Sequence, residues 1–221
     1  MEQGSDEWIA ARVGSLGASR LHEALARTKT GYGASRANLL AELACERLTG
    51  VPADKYVNAA MQNGIDREPQ ARAAYAWHCD ADVVEIGLIK HPTIANSHAS
   101  PDGLVGEEGL VEIKAPQPAT HLATLLGDAI PRKYLLQMSW QMACSGRKWC
   151  DFVSWCPAFP EPMQLFVKRI HRDDALIETI EGEAREFLSE VDATVAELRA
   201  RYEGCPSPLA EALAQSVALE A

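Results

Sequence analysis

The sequence predicts an α/β fold in a single domain, a β-sheet flanked by helices, on three observations. Helix start and stop residues punctuate the stretch up to His78, and β-branched, alternating residues take over from Val83. Near the end, Leu176, Ile180, Ala184, Phe187, Val191, Val195, Leu198 and Tyr202 recur at steps of three and four, one apolar stripe of a long helix. A chain of 221 residues can bury a core without disulfide or metal staples. One domain is therefore expected over residues 1–205, with a tail or short helix over 206–221 after Pro206 and Pro208.

Each element has a local reason. Ser5 is placed to cap a short helix that ends near Arg12-Val13-Gly14, and a second helix is expected over Ala18–Ala26, capped near Ser19. The segment Arg27–Gly33 carries two glycines and reads as a loop. Helices follow over Ala34–Leu48 and Ala59–His78, the second interrupted by Gly64 and Pro69. Strands are predicted at Val83–Ile89, His98–Ala99, Gly103–Val105 and Leu110–Lys114, then helices at Ala119–Leu126 and Pro131–Ser145. Strands return at Cys150–Cys156 and Met163–His171, and the striped helix runs Asp173–Tyr202.

No apolar run reaches the length of a membrane span, and Met1 to Asp6 resemble no signal peptide, so a cytoplasmic protein is expected. The six cysteines show no Cys-x-x-Cys and read as reduced thiols. Cys144, Cys150 and Cys156 are evenly spaced but straddle a predicted helix end and strand, which favours packing over an iron–sulfur cluster. His22, His78, His91, His98, His121 and His171 show no ligand spacing and are expected in structural or surface roles. The net charge of −10 argues against a broadly basic DNA-binding surface. Its distribution qualifies that: residues 171–221 hold twelve acids and four Lys/Arg, a balance of −8 that leaves −2 for the first 170 residues.

The residues with chemical meaning are Asp102, Glu112 and Lys114. Glu112 and Lys114 stand two apart on one predicted strand and so share a face. Gly106-Glu107-Glu108-Gly109 reads as the hairpin turn that folds Asp102 back beside them. A phosphodiester resists hydrolysis because its oxygens repel a nucleophile and its alkoxide leaves poorly, and divalent cations held by hard oxygen ligands answer both problems. Asp102 and Glu112 would ligate the metal with the Ile113 carbonyl, and Lys114 would orient or deprotonate water and offset transition-state charge. By itself Asp…Glu-x-Lys also fits a capped turn beside an ordinary exposed strand pair.

Longer segments add to this. Ser100-Pro101-Asp102-Gly103-Leu104, Leu110-Val111-Glu112-Ile113-Lys114-Ala115-Pro116 and Tyr134 to Gln141 resemble the phage lambda-type exonucleases among the YqaJ-like viral recombinases, members of the PD-(D/E)xK nuclease superfamily. Upstream, Glu2 to Trp8, Ala11-Arg12-Val13-Gly14, Ala18-Ser19 and Gly64-x-x-x-Glu68 extend the likeness to about residues 2–200. The resemblance implies a restriction-endonuclease-like core with a central mixed sheet. It implies a processive 5′-to-3′ exonuclease on double-stranded DNA with 5′-phosphorylated ends that releases mononucleotides. Mg²⁺, with Mn²⁺ as a substitute and two ions per site, is the implied cofactor. A homotrimeric ring would pass the surviving 3′ strand to a single-strand annealing protein, in a bacterial or phage-infected cell.

By position, the resemblance makes Asp102, Glu112 and Ile113 metal ligands, with Glu68 and Gln137 placing water and Lys114. It makes Arg12 and Ser19 a 5′-phosphate pocket, puts Lys29 along the DNA path and gives Met61 the place of a wedge at the terminal base pair. Each has a plainer reading: Arg12 as a helix-end cation, Ser19 as a cap, Glu68 and Gln137 as helix-surface residues, and Met61 as core beside Ile65. Lys29 stands where an arginine is expected, which keeps the charge and loses a bidentate fork. Alternatives are a restriction- or repair-type endonuclease of the same superfamily and a noncatalytic DNA-end-binding protein.

Overall fold

A computed structural model describes residues 3–53, 59–127 and 129–204. In chain order the elements are α1 (Asp6–Ala10), β1 (Leu16–Gly17), α2 (Leu21–Ala24), β2 (Arg27–Thr28), β3 (Gly31–Tyr32), α3 (Ala34–Thr49) and α4 (Ala59–Cys79). There follow β4 (Val83–Val84), β5 (Ile89–Lys90), β6 (Ser97–Ala99), β7 (Gly103–Val105), β8 (Gly109–Lys114), α5 (Pro118–Gly127) and α6 (Arg132–Ser145). The last three are β9 (Trp149–Trp155), β10 (Leu165–His171) and α7 (Asp174–Tyr202). No helix among the described residues is long and apolar enough to cross a membrane. The expected tail, residues 206–221, lies outside the described residues.

The central sheet has the order β10-β9-β8-β7-β4 and is mixed, because β8 runs parallel to β9 and antiparallel to β7. Strand β8 is therefore the middle strand, buried on both faces except at Lys114. Leu110 faces a cluster with Met138, Met142 and Phe152, whereas Val111 and Ile113 face the opposite cluster with Ala71, Tyr75 and Val153. Helix α6 thus covers one face and α4 the other. A second small sheet, β1-β6-β5, adjoins this core.

Helix α6 is buried over nine consecutive residues from Leu136 to Cys144, as befits a helix covered on all sides. Its methionines meet the sheet, while Trp140 joins Leu21, Leu39, Ile180 and Phe187 in the cluster beneath α3 and α7. The α7 stripe is buried from Ile177 through Val195, and Asp173 caps the helix by accepting from the Leu176 N–H. Several α7 acids are consumed internally: Glu190 pairs with the buried Arg36, Asp192 with Arg47 and Glu183 with Arg27, and Glu186 accepts from the Tyr32 hydroxyl. The acidity of this segment is in part a strap across α3 and the β2–β3 hairpin.

Four elements differ from expectation. The predicted strand Val83–Ile89 divides into β4 and β5 in different sheets, because between them the Gly87 carbonyl accepts from the Trp8 indole and the Ser100 hydroxyl, and Glu85 pairs with Arg72. The loop Arg27–Gly33 closes as a two-stranded hairpin. Residues Ala18–Arg20 form a 3-10 turn before α2. Helix α4 runs through Pro69 without a break; Ala71 and Tyr75 beyond it are anchored in the core, and the exposed proline faces away.

Asp151 on β9 is buried and accepts from the Tyr75 hydroxyl at 2.8 Å and from Arg169 at 2.8 and 2.9 Å, with the guanidinium lying 3.5 Å over the Trp149 ring. Asp151→Ala orphans a buried phenol and a cation, so a loss of about 3 kcal/mol is expected. Urea denaturation checks this as a lower midpoint with an unchanged slope.

Candidate active site

The β7–β8 hairpin builds the centre of the site. Its turn needs Gly106 at φ +54, and Arg147 donates to the carbonyls of Gly106 at 2.8 Å and Gly109 at 2.6 Å, which fixes the turn from outside. The register pairs Gly103 with Val111, so Asp102, the next residue out, stands across from Glu112. The Asp102 carboxylate accepts from the Ile113 N–H at 2.6 Å. Ahead of it, Ser100 is held by the Gly87 carbonyl and the Trp8 indole. Helix α1 thereby positions the strand entry that carries Asp102.

Glu112 is fully buried, and a charge there requires donors. Gln137 donates to one oxygen at 2.7 Å and Gln141 to the other, while Lys114 pairs with the first. Gln137 and Gln141 are one helical turn apart, so α6 presents both amides to the same carboxylate. On the other side, Glu68 of α4 accepts from Arg72 at 2.6 Å, and Arg72 also pairs with Glu85 at 2.5 Å.

A cleft of about 530 Å³ opens over this constellation, with Glu68, Ile113, Lys114, Tyr134, Gln137 and Lys133 in its wall, and Ser19 and His22 at one side. Asp102 and Glu112 lie one hydrogen bond behind the wall, through the Ile113 N–H and through Gln137 and Lys114. Burial raises the Asp102 carboxyl well above the usual range; the charges of Glu112 and Glu68 raise it further, against Lys114 and the Ile113 N–H. Burial lowers Lys114, but the charges of Glu112 and Asp102 and the bond to Glu112 outweigh it, and the ammonium is held above its ordinary value. Lys114 is therefore a counter-ion when no other cation is present.

Among the described residues no group of three or more His, Cys, Asp or Glu side chains has the geometry of a metal cluster. Asp102 and Glu112 are instead two hard-oxygen carboxylates that face each other across the β7–β8 register, with more negative charge than one lysine neutralises. That chemistry fits a divalent cation such as Mg²⁺.

Arg12 and Ser19 meet in a small recess of about 30 Å³ that also touches His98, Ser100 and Gln137. The Arg12 guanidinium lies 3.9 Å over the Trp8 ring and makes no ion pair among the described residues. Burial lowers its pKa, partly offset by the charge of Glu46. Gly14, at φ +65, donates to Glu46 at 2.6 Å and accepts from Arg47 at 2.7 Å, clamping the end of α1 to α3. Lys29 is exposed at the β2–β3 turn and does not line the cleft. The Met61 side chain lies outside the described residues.

Sequence reasoning missed Arg72 and Gln141. Both carry a readable signal, since each stands four residues after a predicted site residue, Glu68 and Gln137, on the same helix face. His121 bonds Ser154 and the Met163 carbonyl, and His98 bonds Ser15, each at 2.8 Å. Cys144, Cys150 and Cys156 are buried free thiols.

Residues 7–148 match the YqaJ-like viral recombinase domain. The chain belongs to that family. It is 48% identical to an alkaline exonuclease from Laribacter hongkongensis, LHK-Exo, covering 91% of this chain and 100% of that one with a TM-score of 0.85. The same enzyme in complex with dAMP superposes at 0.86, again with 48% identity and coverage of 91% and 100%. A phage-related exonuclease from Haemophilus somnus, 15% identical over 83% of this chain and 96% of its own, shares the fold with a TM-score of 0.66. No protein of curated function matches the chain. The architecture is thus the PD-(D/E)xK type with its mixed central sheet.

Because burial and the facing Glu112 raise the Asp102 carboxyl, the metal-free native state holds a proton there more tightly than the unfolded chain does. Its contribution to stability is present below the unfolded pKa and is lost as pH rises toward the raised value. Asp102→Asn removes that penalty while keeping an acceptor for Ile113. In EDTA at neutral pH the variant is expected to melt above wild type by ~2–4 °C for each kcal/mol relieved, measured by differential scanning calorimetry.

Proposed function

We propose that this chain is a Mg²⁺-dependent exonuclease that degrades double-stranded DNA from the 5′ end, processively, and releases 5′-mononucleotides. The observation that carries the reading is the pairing of two sites within one wall. The Asp102–Glu112–Lys114 constellation can cut a phosphodiester, and an unpaired, desolvated Arg12 next to it can hold a phosphate. Gln137 belongs to both, and Ser19 lines both the recess and the cleft. An endonuclease has no use for an end-phosphate seat. The recess itself has room for about one water, so the phosphate would sit at its mouth, between Arg12 and Ser19. LHK-Exo's complex with dAMP, a 5′-mononucleotide, supports the product class.

Mg²⁺, or Mn²⁺ in its place, would be held by Asp102, Glu112 and the Ile113 carbonyl as one or two ions, and would supply Lewis-acid activation of phosphate and water. The protein's own groups do the rest. Lys114 presents an ammonium to the charge that grows on the phosphoryl oxygens. Gln137 and Gln141 donate to the two Glu112 oxygens and hold the carboxylate aimed. Glu68, steadied by Arg72, accepts a hydrogen bond from water and orients it. A ring of three subunits, for which the family likeness is the support, would retain DNA topologically despite the acidic overall charge and deliver the 3′ strand to a single-strand annealing protein. A monomeric mass in light scattering would remove the ring.

A time course on end-labelled linear duplex with Mg²⁺ tests the reading, with 5′-phosphate and 5′-hydroxyl ends compared and a covalently closed circle alongside. Wild type should release mononucleotides, prefer the 5′-phosphate and spare the circle; loss of the circle at a similar rate overturns the exonuclease reading. Asp102→Ala should slow digestion by about 10³-fold or more. Arg12→Ala should shrink the preference for 5′-phosphate by roughly 10- to 100-fold, the worth of one charge-assisted phosphate contact. An unchanged preference disproves the recess as its seat.

A further inference from the structure

We propose that a second groove, adjoining the catalytic cleft, seats an unpaired segment of DNA, the strand that is not being cut. The inference rests on the nuclease reading and names a further binding site for it. The groove has a volume of about 500 Å³ and lies between α2 and the β2–β3 hairpin on one side and α6 and α7 on the other. His22 and Lys133 line both the groove and the catalytic cleft, so the two share a wall.

Its chemistry selects the ligand. Arg27, Arg132 and Lys133 form the rim. Arg132 and Lys133 make no ion pair among the described residues, and Lys133 sits 4.7 Å from the Tyr134 ring centre. One acid, Glu183, faces them, and it is engaged with Arg27 at 3.5 Å. Beneath the rim, Leu25, Leu136, Leu176 and Ile180 make an apolar floor. Duplex DNA presents phosphates and sugars outward and has no use for such a floor. A single strand exposes both phosphates for the cations and base faces for the apolar surface, the combination that single-strand grooves share. In a protein of net charge −10, cations left unpaired beside the cutting site mark where phosphate is wanted.

The test measures equilibrium binding in EDTA, where no strand is cut, by fluorescence anisotropy on a blunt duplex and on the same duplex with a 3′ tail of about ten nucleotides. Wild type should bind the tailed duplex about tenfold more tightly, and the tail's share of the salt dependence should correspond to roughly two or three phosphate contacts. Arg27→Ala combined with Arg132→Glu should abolish the gain and leave blunt-duplex affinity as it was, while Arg132→Lys should keep most of it. Equal binding of both DNAs by wild type overturns the proposal. So does a double variant that weakens both DNAs alike, since that makes the groove a duplex contact. A blunt duplex left undigested in Mg²⁺ would instead remove the nuclease reading, and the tail comparison separates the two failures.

Discussion

A carboxylate in the middle of a sheet is the constraint around which this molecule is arranged. Glu112 sits on the central strand with no exposure to solvent. An ionised group so placed costs several kcal/mol unless its oxygens are met by donors. Gln137, Gln141 and Lys114 meet them, and two of the three come from α6. The register of that helix on the sheet is therefore set by polar contacts as much as by Met138 and Met142 packing onto Leu110 and Phe152. Trp140 then falls on the other side, where α2, α3 and α7 close over it.

The remaining parts of the site hang from the same frame. Asp102 is fixed by its strand register and by the Ile113 N–H, and the segment that delivers it is pinned by Trp8 through Ser100 and Gly87. Trp8 also carries the Arg12 guanidinium on its ring. One indole thus links the entry of the strand that carries Asp102 to the arginine of the neighbouring recess. Glu46 and Arg47 hold Gly14 and so steady the far end of the same segment. A site assembled from α1, α4, β7, β8 and α6 is kept in geometry by these side-chain to backbone bonds across long sequence separations, which suits chemistry sensitive to small misplacements.

Charge is distributed with the same economy. Acids of α7 neutralise arginines of α3 and the β2–β3 hairpin, so the net negative total says little about the face that carries the clefts. What the total conceals is Arg12, Arg132 and Lys133, cations without ion-pair partners among the described residues, on or beside the wall of the cleft over Glu112 and Lys114.

Local information in the sequence was enough for the α/β class, the α7 stripe, and the grouping of Asp102, Glu112 and Lys114, because period-two and period-3.6 patterns and a glycine-bounded turn are properties of adjacent residues. The strand predicted over Val83–Ile89 shows the limit. Its β-branched residues are real, but Gly87 is held from Trp8 and Ser100, partners distant in sequence that divide the run between two sheets. Gln141 and Arg72 could be placed on the right helix faces, yet their roles depend on which carboxylates those faces meet. The resemblance named both Lys29 and Arg12 as cations that meet DNA. Only the packing of Arg12 on Trp8, and its burial without an ion partner, sets one apart from the other. The sequence by itself determined most of the elements and the identity of the chemical groups. Tertiary structure decided which of those groups share one wall, because burial and long-range hydrogen bonds bring a common trio of Asp, Glu and Lys together.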